Sequence, residues 1–162
     1  MFIKLALTMM FIACALYDLI EFRIPNVLTG AIALMFPIWV VAHHLTFMEV
    51  GDHLFVGIAV LVCTAILFRF RLLGGGDVKL LSGTCLWAGP YLFLAHLAVT
   101  SFFAVGVLLL IHFVRRAYPV VLATVPRIGA VPMPRVLQPG AGVPYGIAIA
   151  ASAIVLGIPR TF

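Results

Sequence analysis

The chain has 162 residues, of which 65% are hydrophobic and 9% charged, with a mean hydropathy of +1.26 and a net charge of +5. Such an apolar excess excludes an ordinary soluble domain and predicts an integral membrane protein. Its apolar runs suit transmembrane helices of about 17–25 residues, and none alternates with the period of two that a barrel strand requires. The expected fold is therefore all-α, a polytopic transmembrane helical bundle forming a single domain over residues 1–162. The basic residues lie in short stretches between apolar runs, where they orient membrane helices, so no nucleic-acid partner is expected.

The first predicted span runs from about Phe2 to Tyr17 and meets polar groups at Asp18, Glu21 and Arg23. Ile24-Pro25-Asn26 ends it, because proline disfavours helix in the residue before it, and Asn26 can cap the next helix. A second span covers roughly Val27 to Phe47, with Glu49-Val50-Gly51-Asp52 as a polar turn, and a third covers His53 to Phe70. The run Gly74-Gly75-Gly76-Asp77-Val78-Lys79 follows. Val78 to Val114 has basic groups at both ends and is long enough to cross twice. Gly89-Pro90 is the natural turn, with His96 to Thr100 as its rival. The stretch 115–142 carries five prolines and is expected to be a cytoplasmic loop. Val143 to Ile158 completes about six spans.

The charges predict an orientation. With the N-terminus outside, Arg23, Arg69, Arg71, Lys79, Arg115, Arg116, Arg127 and Arg135 fall inside, eight of the ten basic residues. That is a strong positive-inside bias. The same arrangement brings Asp18 and Asp77 to the cytoplasmic face. A competing reading takes Lys4, the apolar run and Ala13-Cys14-Ala15 as a cleaved signal peptide.

Two acids at one depth on separate helices suit an aspartic dyad, in which one carboxyl holds a proton while the other is ionised. The residues alone do not assign the two roles, because such a pair titrates jointly. Glycines before Asp77 would let backbone approach a peptide closely, and Lys79 could balance charge nearby. Tyr17-Asp18-Leu19, Arg23-Ile24-Pro25-Asn26, Gly74-Gly75-Gly76-Asp77-Val78-Lys79 and Val143-Pro144-Tyr145-Gly146-Ile147-Ala148 together resemble the prepilin leader peptidases, polytopic aspartic proteases with a G-x-G-D motif. The resemblance is to the short form serving Flp/Tad-type pilus systems. It implies that Asp18 and Asp77 are catalytic, that Gly74 and Gly76 are the motif glycines, and that neither metal nor cofactor is needed. It also implies prepilin or pseudopilin substrates, a bacterial cytoplasmic (inner) membrane location, work alongside pilus or secretion machinery, and removal of a short basic leader at the cytoplasmic face. Longer members carry paired C-x-x-C motifs associated with N-methylation. Here Cys14, Cys63 and Cys85 are scattered and read as buried apolar filler, so methyl transfer is not expected.

Blander readings stand beside these. Asp18 could be a solvated helix-end acid pairing with Arg23, and Asp77 an N-cap. Glu21 reads as a solvated acid. His43, His44 and His53 gather near one turn without a carboxylate or cysteine at ligand spacing, and Trp39 and Trp87 read as belt anchors at the outer interface. The rival functions are a small proton-coupled transporter, which would place an acid near the bilayer midplane, and a non-catalytic assembly component.

Overall fold

A computed structural model describes residues 2–124, 137–138 and 142–159. The described chain is all-helical: α1 (Phe2–Glu21), α2 (Asn26–Ala42), α3 (Phe47–Arg69), α4 (Gly75–Thr124) and α5 (Tyr145–Val155). Three helices, α1, α3 and α4, are long and apolar enough to cross a membrane. Many of their large apolar side chains, such as Met9, Phe55, Ile66 and Phe102, face outward. Lipid makes that arrangement inexpensive, since hydrocarbon solvates such groups as well as a core does.

α4 is broken at Gly89, whose φ of 62° and ψ of −173° leave the helical region. The break reverses the chain. His96 Nε2 lies 2.8 Å from Thr84 Oγ1, whereas in an unbroken helix these residues would be about 18 Å apart along the axis. Gly89-Pro90 is thus the turn, and His96 to Thr100 lies within the returning leg. Pro90 has no N–H to give Leu86 four residues earlier. The Nδ1–H of His53 supplies the missing donor, at 2.7 Å from the Leu86 carbonyl oxygen. Beside it, a Cβ on Gly89 would lie 2.5 Å from His53 Cε1, so the ring occupies the space that glycine leaves.

The remaining helices assemble on α4. α2, α3 and α5 all pack against it, and α1 packs against α2 and α5. The main core joins Leu7, Phe11 and Cys14 of α1, Ile32, Phe36 and Trp39 of α2, Leu80 and Trp87 of α4, and Ile149 and Ala153 of α5. A fully buried polar network ties α5 to both legs of α4. His96 Nδ1 is 2.5 Å from Ser152 Oγ, which also accepts from Thr100 Oγ1 at 2.8 Å. Interhelical hydrogen bonds of this kind average about 0.6 kcal/mol in membrane bundles.

Several boundaries differ from expectation. The turn before α3 falls at 43–46, not at Glu49 to Asp52, because Thr46 and Glu49 form a capping box: Glu49 Oε2 accepts from Thr46 N at 2.7 Å, and Thr46 Oγ1 accepts from Glu49 N. α2 starts at Asn26 with Pro25 as its N-cap, so Asn26 is the first helical residue and caps nothing with its side chain. Trp39 and Trp87 are buried rather than belt anchors, since three helices converge there and the Trp87 N–H reaches the Ile32 carbonyl at 2.9 Å. Cys63 is exposed, unlike Cys14 and Cys85. Residues 115–124, expected in a loop, continue α4 through Pro119, whose missing donor opens one backbone bond without ending the helix. The rest of the proline-rich stretch lies outside the described residues, apart from 137–138 and Gly142. α5 has 11 residues, shorter than the expected final span.

Candidate active site

Both aspartates sit where helix ends meet. Asp18 lies one turn before the end of α1 and is 5% exposed, so it is neither solvated nor a surface partner for Arg23. Its Oδ2 accepts a hydrogen bond from the Gly146 N–H at 2.6 Å, across 128 positions of sequence. The Ile147 N–H stands beside that donor. These are the first N–H groups of α5, which have no partner inside their own helix and favour an anion. A Cβ on Gly146 would lie 2.8 Å from Asp18 Oδ2 and 2.8 Å from Ile24 Cδ1, so only glycine allows the approach.

Asp77 belongs to the first turn of α4. The helix begins at Gly75, which makes Gly74 the N-cap and Asp77 the third helical residue. Asp77 is therefore not the N-cap that its sequence position allowed. Its Oδ2 turns back over Gly74, where a Cβ would come within 2.9 Å. Acids in the first turn suit the positive end of the helix dipole. Asp77 is 9% exposed, and its Oδ1 has no hydrogen-bond partner among the described residues.

The two carboxyls line one pocket of about 210 Å³, together with Phe22, Arg23, Ile24 and the three glycines 74 to 76. The glycines serve this chain's own packing. A Cβ on Gly76 would lie 3.1 Å from Ile24 Cβ, and one on Gly75 would lie 3.4 Å from the Phe68 ring. Their small size brings the α1–α2 connection, the end of α3 and the start of α4 to one place. Lys79 does not line this pocket. It is exposed, and its Nζ donates to Asn26 Oδ1 at 2.8 Å, joining α4 to α2.

The histidines are used elsewhere. His43 packs against Trp39, and its Nδ1 lies 3.1 Å from the Trp39 carbonyl oxygen, while His53 holds the Gly89 turn. Sequence reasoning missed Gly146 as a partner of Asp18. Its block, Val143 to Ala148, was visible, but the group that acts is a backbone N–H, which every non-proline residue carries.

The arrangement puts two carboxyls on one pocket, one of them held by a helix N-terminus. A model of the type IV leader peptidase family matches residues 5–111. No curated protein and no solved structure matches the chain.

Proposed function

The chain belongs to the type IV leader peptidase family, and from that premise we propose that it is an intramembrane aspartic endopeptidase. Its substrates are prepilins or pilin-like proteins, from which it removes the short basic leader. The observation that carries this reading is the meeting of Asp18 and Asp77 in one pocket, although they come from different helices. In the reaction, the ionised carboxyl takes a proton from a water whose oxygen attacks the scissile carbonyl. The protonated carboxyl donates to the carbonyl oxygen, and collapse of the tetrahedral intermediate passes a proton to the leaving amine. Gly146 orients Asp18 for its part. Gly74 and Gly76 keep the turn narrow enough for Asp77 to face it.

The enzyme is a single multi-pass domain of the bacterial cytoplasmic membrane, crossing about six times with its N-terminus outside, and it works with pilus or secretion machinery. Two observations support a cytoplasmic active site. Arg23 lines the aspartate pocket, and Lys79 lies one turn into the helix that bears Asp77. These cations, with Arg69 at the end of α3, gather at the same end of the bundle as both acids, the positive-inside end.

The test is co-expression with candidate prepilins and sequencing of the mature N-termini. Asp18→Asn and Asp77→Asn are each expected to lower cleavage about a thousandfold or more while leaving the protein inserted. Normal leader removal by either variant would sink the reading.

A further inference from the structure

Besides the aspartate pocket, the bundle holds a second and larger cavity, about 440 Å³, between α2, α3 and the first leg of α4. Each helix gives it one face spaced i, i+3, i+4, i+7: from Asn26 to Ala33 on α2, from Leu54 to Leu61 on α3, and from Lys79 to Leu86 on α4. That spacing is one side of a helix over two turns, about 10 Å. α2 and α3 both pack on α4 yet scarcely touch each other along this length, so the three faces line an open groove along which a fourth helix could lie.

The slot has a direction. α2 begins its wall at Asn26, two residues after the Ile24 that lines the aspartate pocket, and α4 begins its wall at Lys79, two residues after Asp77. Both walls then run away from the aspartates. At the far end Phe36, Trp39, His53 and Trp87 close the bundle, with ring centroids 5.5–5.7 Å apart. A Cβ on Gly30 would meet nothing within 4 Å, so this wall stands back from its neighbours. Glycine at such a position lets a second helix backbone come close.

We propose that this slot receives the start of the substrate's transmembrane helix, the two turns that follow the scissile bond. The inference rests on the leader-peptidase reading and adds the place where the substrate is held. A peptide bond seated between Asp18 and Asp77 would have its C-terminal continuation led along Asn26 and Lys79 into the slot. An acyl chain could fill the same volume, but it needs neither three helix-spaced faces nor walls that begin within two residues of the catalytic pocket's lining. The slot supplies binding energy remote from the reacting bond, present alike in the bound substrate and in the transition state.

The test uses a reporter prepilin, a basic leader followed by an apolar spanning helix, with Gly30→Leu and, as control, Gly106→Leu, where an added Cβ also meets nothing within 4 Å but on the second leg of α4. Gly30→Leu should lower kcat/KM about tenfold or more, with the loss mostly in KM, while Gly106→Leu cleaves as wild type. In parallel, a diazirine side chain at Ala33 in the inactive Asp77→Asn protein should capture the reporter through the first turns of its apolar helix. If wild type cleaves the reporter but Gly30→Leu cleaves it equally well, or if Ala33 captures only lipid, the slot is not the docking site and the peptidase reading survives. If wild type does not cleave a panel of such reporters, the peptidase reading fails first. The capture experiment decides the matter even if Gly30→Leu does not fold.

Discussion

The two ends of this bundle use glycine in opposite ways. At the end away from the aspartates, Gly89 makes room for the His53 ring, which fills the gap and satisfies the Leu86 carbonyl left without a donor by Pro90. Aromatic rings pack around it. At the aspartate end, Gly146 makes room for a carboxylate oxygen, and the glycines 74 to 76 draw three chain segments together around a pocket. There Asp77 Oδ1 is buried with no partner among the described residues. Leaving such an atom unpaired costs about 1–3 kcal/mol. At one end the gap left by a missing Cβ is filled by a ring and at the other it borders a pocket, while each end keeps one buried polar atom without a partner among the described residues, Trp39 Nε1 and Asp77 Oδ1.

That contrast can be broken by substitution. Among substitutions at these glycine contacts the largest effect is expected for Gly146→Val, whose side chain must push Asp18 or Ile24 aside. A displacement near 1 Å at a catalytic group costs about a hundredfold in rate. The reporter assay should show that loss, with the protein still inserted and helical by circular dichroism; near-normal cleavage would mean that the contact with Asp18 does not matter.

Gly89→Ala should do the reverse, lowering stability more than specific activity. Its φ of 62° and ψ of −173° lie in a region essentially reserved for glycine, so strain alone costs about 1–3 kcal/mol, and the collision with His53 adds to it. Thermal unfolding in detergent measures this. In a Gly89→Ala/His53→Ala double variant the collision disappears, so the two losses should fall short of additive.

His53→Leu keeps the volume but orphans the Leu86 carbonyl, for an expected loss of about 1–3 kcal/mol, again read by unfolding. Smallest is Lys79→Met. It removes one exposed hydrogen bond to Asn26, worth about 0.5–1.5 kcal/mol at most. A stability change beyond that would show that Lys79 has a larger structural role than joining α2 to α4.

Much of the molecule was legible in residue type and spacing. Apolar runs predicted helices, the Gly89-Pro90 pair marked the reversal, and two acids in an apolar chain, one of them following a glycine run, marked the candidate site. These signals are local, because hydropathy and backbone preference act within a few residues. Some local signals were misjudged nonetheless. Thr46 and Glu49 carried a capping box that moves the turn before α3, and Asn26 turned its amide to Lys79 rather than to its own helix.

What only the tertiary structure decided involves groups far apart in sequence or groups that every residue shares. The N–H that meets Asp18 belongs to Gly146, 128 positions away, and nothing in that side chain announces it. Whether Trp39 and Trp87 face lipid or core depends on how α2, α3 and α4 converge, since an indole suits either setting. The slot beside the aspartates likewise exists because α2 and α3 choose α4 over each other. The sequence by itself determined a helical, membrane-type chain with two unusual acids. Packing decided that these acids share a pocket, because a side chain's neighbours across helices are set by how those helices meet and not by the residues beside it in the chain.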